Sequence, residues 1–477
     1  MSASDLYPDL ELDDAAMRDL VDATLERIMA HVRSLPEQAA GDTSGAAELA
    51  RELAEPAPEA PGSLGDALRL LFDRAIPKSF NTAGPGYLAY VPGGGLFASA
   101  VAALIAASVN RYVGVWAAAP ALVQIEANVI RWLCDLVGYG PEAGGIHTSG
   151  GSLANFSAIV AARRNCLPED FLRGTLYVSE EAHHSIRKAA LLAGFPARSV
   201  RSLPTDDHFR LRLDALRAQL RADRAAGLSP FLVVASAGTT NTGAVDDLAA
   251  VAAVAREERL WFHVDAAYGG FFLLTERGRR ALAGIRDADS VVLDPHKSLF
   301  LPYGNGALVV RDAAALRRAH SVPAEYLPQL QEDPDRVDFS ELSPELSRDF
   351  RGLRVWLPLK LHGLGAFRRA LDEKLDLAAW GVEQVRLIPG IEIVAEPQLS
   401  LFAFRLVRPG LDPLALDALN RNFLAAVNAR QRAYLSGTVV GGRFVLRICV
   451  LSFRTHRDRM EEVVKDLREV AAELAPR

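Results

Sequence analysis

Cysteine is scarce in this chain. Cys134, Cys166 and Cys449 are the only three in 477 residues, far apart and without a C-x-x-C pair. That excludes a disulfide framework and a structural zinc ribbon, and a reducing, cytoplasmic setting is expected. Long apolar runs are lacking as well. The longest, Gly95 to Val109, is interrupted by Ser99 and Ser108. It is shorter than the roughly 20 residues a bilayer span needs, so it reads as a buried helix. The opening MSASDLYPDLELDD is acidic, with no basic stretch ahead of an apolar one, and does not read as a secretory leader. Positive charge is not in excess: Lys+Arg 53 against Asp+Glu 59 gives −6, which argues against a nucleic-acid or membrane-surface partner. Lysine is rarer still, at positions 78, 188, 297, 360, 374 and 465 only. Chemistry that needs a primary amine therefore has few candidates.

What is present is a globular composition, 50% hydrophobic and 23% charged, in a chain long enough for about three lobes. Residues 13–34 carry apolar side chains at helical spacing behind an aspartate cap. Residues 35–62 read as a loose connection with one short helix, and a second helix is expected over 63–75. From residue 85 short β-branched or aromatic runs alternate with helical stretches. The runs are TLYVS (175–179), FLVVAS (231–236), LWFHVD (260–265), SVVLD (290–294) and GALVV (306–310). The intervening helices are expected over 152–165, 184–193, 212–226 and 247–257. Such alternation implies an α/β fold with a largely parallel sheet covered on both faces, and ligands gather beyond the carboxyl ends of its strands. Residues 321–345, with four prolines and many acids, read as a mobile lid. IEIVAE, LFAFRLV, RFVLRICVLSF and a final helix over 457–474 suggest a small α+β carboxy-terminal domain.

Five motifs fall at that sheet edge. His147-Thr148-Ser149-Gly150-Gly151-Ser152 opens a helix, which suits a phosphate or a plain serine cap. Asp265 ends a buried strand ahead of Ala266-Ala267-Tyr268-Gly269-Gly270. It could hold a protonated ring nitrogen or merely cap a loop. Lys297, in Asp294-Pro295-His296-Lys297, is the one lysine directly behind a strand-like run. Desolvation there should lower its pKa and suit it to Schiff-base chemistry. Lys188, Lys360, Lys374 and Lys465 fall in helical patterns and read as solvated. His183, in Glu181-Ala182-His183-His184-Ser185, could stack on an aromatic ligand or be an ordinary structural histidine. No ligand set matches a metal at His183 and His184, so no metal is expected. The polar loop 235–243 says little alone. Taken together, a phosphate cradle, a carboxylate for a ring nitrogen, a lysine and a stacking imidazole suit pyridoxal 5′-phosphate.

With these residues in view, the chain resembles the group II pyridoxal-phosphate-dependent amino acid decarboxylases, which share the aspartate aminotransferase type of fold (fold type I). The resemblance spans residues 15–470. It is carried by GPGYLAYVP (84–92), WAAAPALVQIEANVIRWL (116–133), TSGGSLAN (148–155), EEAHHSIRKAA (180–190), ASAGTTNTGAVDDL (235–248), HVDAAYGG (263–270), DPHKSLF (294–300) and FRGLRVWLPLKLHG (350–363). The resemblance implies a lyase that turns an L-amino acid into its amine and carbon dioxide through a Lys297 aldimine and a quinonoid. Asp265 would pair with the pyridinium nitrogen. His183 would stack on one ring face and Ala267 lie against the other. Gly151 and Ser152, with His296 nearby, would hold the phosphate, and Thr240 would lie near the ring. It also implies a homodimer with sites at the interface. A helical arm (1–84) would wrap the partner, followed by a cofactor-binding domain (85–385) and a small domain (386–477). Tyr90, Val91 and Pro92 would line the neighbour's substrate pocket.

Two departures from the family pattern stand out. Family members commonly carry a loop tyrosine that assists protonation at Cα. Counting one loop residue as an insertion puts Phe339 at that place, and phenylalanine has no transferable proton. Among aromatic members that change accompanies aldehyde synthases, which use dioxygen to deaminate after decarboxylation. Tyr326 on the same loop is an alternative donor. Gly114 stands where aromatic decarboxylases tend to have a larger residue, which would widen the pocket.

Overall fold

The computed structural model of the chain describes residues 10–322 and 336–475. The amino-terminal helix Asp14–Ser34 starts where expected, because Asp13 accepts a hydrogen bond from the Ala16 N–H at 2.8 Å. Helix Ala46–Glu52 is the short helix of the connection, and Leu64–Arg69 runs on as a π-helical segment to Ala75.

Seven strands form the central sheet: β1 (Gly144–Thr148), β2 (Gly174–Ser179), β3 (Val200–Leu203), β4 (Ser229–Ser236), β5 (Trp261–Asp265), β6 (Ser290–Leu293) and β7 (Gly306–Val310). Their order is β1-β7-β6-β5-β4-β2-β3. Pairs β2–β3, β2–β4, β4–β5 and β5–β6 are parallel, and β7 runs antiparallel to both β6 and β1. The middle strands are almost wholly buried, so continuous apolar runs rather than alternation mark them. Five strands match the apolar runs of the sequence. The other two, β1 (GGIHT) and β3 (VRSL), are too short and too poor in β-branched residues to announce themselves.

The register fixes the chemistry-bearing edge. Ser236 of β4 lies beside Asp265 of β5, Asp265 beside Val292 of β6, and both Thr148 and Leu293 pair at the start of β7. The carboxyl ends of β1, β2, β4, β5 and β6 thus share one edge.

A second sheet is antiparallel: β8 (Ile391–Ala395), β9 (Leu401–Leu406), β10 (Ser436–Val440) and β11 (Arg443–Cys449), in the order β10-β11-β9-β8. Helix Pro413–Ala429 packs on it, and helix Arg457–Glu473 shares its core. Its core also takes Leu377, Ala378, Val382 and Val385 from the long helix Arg351–Arg386, which kinks at Gly363, and Leu88 from the start of the chain. Leu88 belongs there because residues 86–90 run along this sheet: the Tyr434 N–H donates to the Gly86 carbonyl and the Cys449 N–H to that of Leu88.

Two expectations need correction. The run 95–109 does form a helix, Phe97–Val109, but only Ser99, Ala102 and Ala106 are buried within this chain. Phe97, Leu104, Ile105 and Val109 are exposed. Lys374, read as solvated, is fully buried, because its face of the long helix is covered by the 452–456 turn. Most of the expected lid and Tyr326 lie outside the described residues. No helix among the described residues is long and apolar enough to cross a membrane.

Candidate active site

Elements at the shared edge enclose a cavity of about 460 Å³. Helix Gly151–Cys166 begins there, directly behind β1. Its first intrahelical bonds run from Leu153 and Ala154 N–H to the Gly150 carbonyl. The N–H groups of Gly151 and Ser152 therefore precede the ladder and are available to an anion. Glycine suits this entry: a Cβ on Gly151 would sit 2.8 Å from Asp294 Oδ2, and one on Gly150 a tight 3.3 Å from the His296 ring.

β6 ends in the turn that carries Asp294, His296 and Lys297. Lys297 Nζ lies 3.0 Å from Asp294 Oδ2, and its side chain keeps 24% exposure toward the cavity. Burial pulls the amine's pKa down, but Asp294 and Asp265 outweigh burial and hold it above the ordinary lysine value. The lowered pKa expected from desolvation is thus reversed, because the charges that oppose it arrive from the fold. His296 Nδ1 donates to the Asn305 carbonyl at 2.6 Å, leaving Nε2 3.6 Å from Asp294 Oδ2.

β5 delivers Asp265. Its carboxylate accepts from the Asn155 amide at 3.1 Å and from the Ala267 N–H at 3.2 Å, and no cation pairs with it among the described residues. A half-buried carboxylate held by two neutral donors, facing a cavity, is suited to a cationic ring N–H. His183 caps the helix His184–Leu192, with Nδ1 2.7 Å from Ser185 Oγ. Burial lowers its pKa, so the ring is neutral near pH 7.

Lys297, Asp265, His183, Gly151, Ser152, Thr240, Ala267 and His296 all line this one cavity. Tyr90, Val91, Pro92 and Phe339 do not. Tyr90 stands 54% exposed on a left-handed backbone (φ 52°), with its carbonyl accepting from Arg447 at 2.8 Å. Phe339 is buried in the core, with the Arg348 guanidinium 4.9 Å above its ring. Gly114 does not open space: a Cβ there would meet the Tyr112 ring within 2.8 Å. A wider hollow of about 760 Å³ lies beside the amino-terminal helix, but no lysine lines it. Sequence reasoning missed Asp294 and Asn155, although both stand inside the motifs it used. A carboxylate three residues before the lysine was the available signal for the first. For the second there was none, since an asparagine inside a helix announces nothing.

The site fits pyridoxal 5′-phosphate on the chemistry of its donors: free helix-start N–H groups for the phosphate, an amine for the aldehyde, and an unpaired carboxylate for the ring nitrogen.

Comparison with known proteins agrees. The model of the pyridoxal-dependent decarboxylase conserved domain matches residues 72–407. An aromatic-L-amino-acid decarboxylase of Bacillus atrophaeus is 33% identical, over 98% of this chain and 98% of its own. A tyrosine decarboxylase of Oryza sativa subsp. japonica is 34% identical, over 89% of this chain and 85% of its own. The crystal structure of Oryza sativa TDC with PLP and tryptamine superposes with a TM-score of 0.93 at 27% identity, covering 98% of this chain and all of that one.

Proposed function

The chain belongs to the pyridoxal-dependent decarboxylase family and is a PLP-dependent carboxy-lyase, and from that premise we propose that it converts an aromatic L-amino acid into its amine and carbon dioxide. The observation that carries this reading is the convergence of the Lys297 amine, the Asp265 carboxylate and the His183 imidazole on one cavity. The substrate class follows the relatives, which are named for aromatic amino acids.

When bound, pyridoxal 5′-phosphate supplies a conjugated ring that accepts the electrons left behind by the departing carboxylate. Asp265 holds the ring nitrogen protonated, which makes the ring electron-poor. Lys297 supplies the amine for the aldehyde. Asp294, 3.0 Å away, holds a proton on that amine while it is free. His183 and Ala267 line the same cavity and would lie against the two ring faces, keeping water from the reacting bond. The N–H groups of Gly151 and Ser152 would hold the phosphate beside His296, and Thr240, on the same cavity wall, would lie near the ring.

The active unit in this proposal is a homodimer. Met17, Leu20, Val21, Leu25 and Met29 on helix Asp14–Ser34, and Phe97, Leu104, Ile105 and Val109 on helix Phe97–Val109, are exposed in the single chain. A second copy would cover such faces, and Tyr90, Val91 and Pro92 would then reach the partner's substrate.

A second reading keeps the aldehyde-synthase alternative: Phe339 holds the loop-tyrosine place in the sequence, and in this chain it is buried away from the cavity, so that place supplies Cα with no proton. Amino acid, dioxygen and water would then yield aldehyde, carbon dioxide, ammonia and hydrogen peroxide. A panel of L-amino acids with separate measurement of carbon dioxide, amine, aldehyde and peroxide tests both. Equal carbon dioxide and amine without peroxide is the expected result. Equal aldehyde and peroxide would install the second reading, and no carbon dioxide from any aromatic amino acid would overturn the first.

A further inference from the structure

Behind the cavity wall lies a buried chain of side-chain hydrogen bonds that the chemistry above does not use. It starts at Trp261, whose indole N–H donates to Ser290 Oγ at 2.8 Å. Ser290 Oγ is 2.7 Å from His263 Nδ1, and His263 Nε2 is 3.0 Å from Asn155 Oδ1. The Asn155 amide nitrogen then reaches two acceptors, Asp265 Oδ2 at 3.1 Å and Ser185 Oγ at 3.0 Å. Ser185 Oγ is 2.7 Å from His183 Nδ1.

The direction of the bonds is set from the Asp265 end and agrees at the Trp261 end. An indole N–H only donates, so Ser290 accepts there, and its own hydrogen is left for His263 Nδ1, which the Asp265 end of the chain requires to be an acceptor. His263 is fully buried and neutral, so its single hydrogen sits on Nε2 and points at the Asn155 carbonyl oxygen. From the other end, the Asp265 carboxylate only accepts, so it must face the amide NH₂. Turning the amide over would set two oxygens against each other at Asp265 and waste the His263 hydrogen. His183 Nδ1 is an acceptor, because a backbone N–H can only donate to it, so the His183 hydrogen sits on Nε2 and the Ser185 hydroxyl donates to Nδ1. The Ser185 N–H also reaches His183 Nδ1, at 3.3 Å, in the same sense.

We infer that Asn155 is a positioning residue for the cofactor: its amide, oriented by His263, aims the Asp265 carboxylate and holds in place the Ser185 hydroxyl that bonds His183 Nδ1. This rests on the reading that Asp265 meets the ring nitrogen and His183 the ring face. One helix then does two things for the cofactor. Its first turn receives the phosphate, and one turn further Asn155 secures the groups at the opposite end of the ring.

The experiment titrates pyridoxal 5′-phosphate into apoprotein. Asn155→Leu and Asn155→Ala both delete the amide. Each is expected to weaken cofactor binding by about tenfold or more and to collapse the visible circular dichroism of the bound cofactor. The apoprotein's melting temperature should fall by only a few degrees. In turnover, kcat falls while KM for the amino acid stays within about twofold, because the amide touches no substrate. His263→Leu should reproduce the loss. His263→Gln, whose amide N–H can donate to Asn155 Oδ1, should recover most of it. Wild-type affinity and dichroism in a folded Asn155 variant would overturn the inference, as would equal behaviour of His263→Leu and His263→Gln. If neither Asn155 variant folds, the His263 pair decides. Asp265→Asn separates the two levels. If it binds cofactor as wild type does, the underlying site reading fails. If it is severely impaired while the Asn155 variants are not, only the relay fails.

Discussion

Two lysines leave the solvent in this fold, and their surroundings differ in a way that separates a reactive amine from a structural one. Lys374 sits inside the long helix Arg351–Arg386 with no exposed side-chain surface. Its ammonium is consumed by fixed acceptors: the Thr455 carbonyl and Glu373 Oε2, the latter at 2.9 Å. Burial lowers its pKa, and Glu373 recovers only part of the loss. Lys297 also pays for burial, but two carboxylates overcompensate, and its amine borders a cavity instead of a carbonyl. Burial alone therefore does not mark a Schiff-base lysine. A buried amine becomes chemistry when there is room beside it and charge to control its proton. When its donors are spent on the backbone it becomes a tie between segments.

The sharpest way to break this contrast is to remove each amine. Lys297→Ala should lower decarboxylation by at least ~10³-fold while thermal unfolding stays within a few degrees of wild type. Equal loss from Lys374→Ala would erase the distinction. For Lys374→Ala the expected result is the opposite: about 3 kcal/mol less stability in urea unfolding, from the vacated volume and the orphaned Thr455 carbonyl, with per-site turnover preserved. Acid should weaken the fold through two imidazoles that burial holds neutral, neither of which lines the cavity. Burial holds His263 below the usual histidine pKa and brings His320 down to about 4. The unfolded chain, with histidines near 6.5, therefore binds protons first as pH falls. Their contribution to stability is complete above pH 6.5 and is lost toward pH 4, with a slope approaching ~1.4 kcal/mol per pH unit for each histidine. Urea midpoints at pH 7 and pH 5 measure this, and His263→Gln should flatten the difference. The smallest effect belongs to Asp294→Asn. It removes the nearest charge opposing deprotonation of Lys297, so the pH midpoint for cofactor attachment to apoprotein should move down. An unmoved midpoint would assign the proton's control to Asp265.

Much of the fold was legible because buried parallel strands must be continuously apolar, and five such runs stood in the sequence at their observed places. β1 and β3 were not legible. Their residues become strands only because β7 and β2 offer open hydrogen-bonding edges to them. The same limit governs the site. Lys297, Asp265 and His183 stood out as chemical residue types behind strand-like runs. Asn155 is a mid-helix asparagine that gains meaning from His263, 108 residues away. Phe339 read as a loop residue facing a ligand, and Arg348 and the core cover it instead.

What the sequence determined by itself was local and additive: which runs are apolar enough to be strands, where helices start, and which side chains can bear an amine, a carboxylate or an imidazole. The tertiary structure alone decided which charges those groups face, and so the sign of the Lys297 shift, the burial of Lys374 and the direction of each hydrogen bond behind Asp265. Such properties depend on distances of about 3 Å, some between near neighbours such as Asp294 and Lys297 and others between residues as remote as Asn155 and His263. No pattern along one strand or helix contains them.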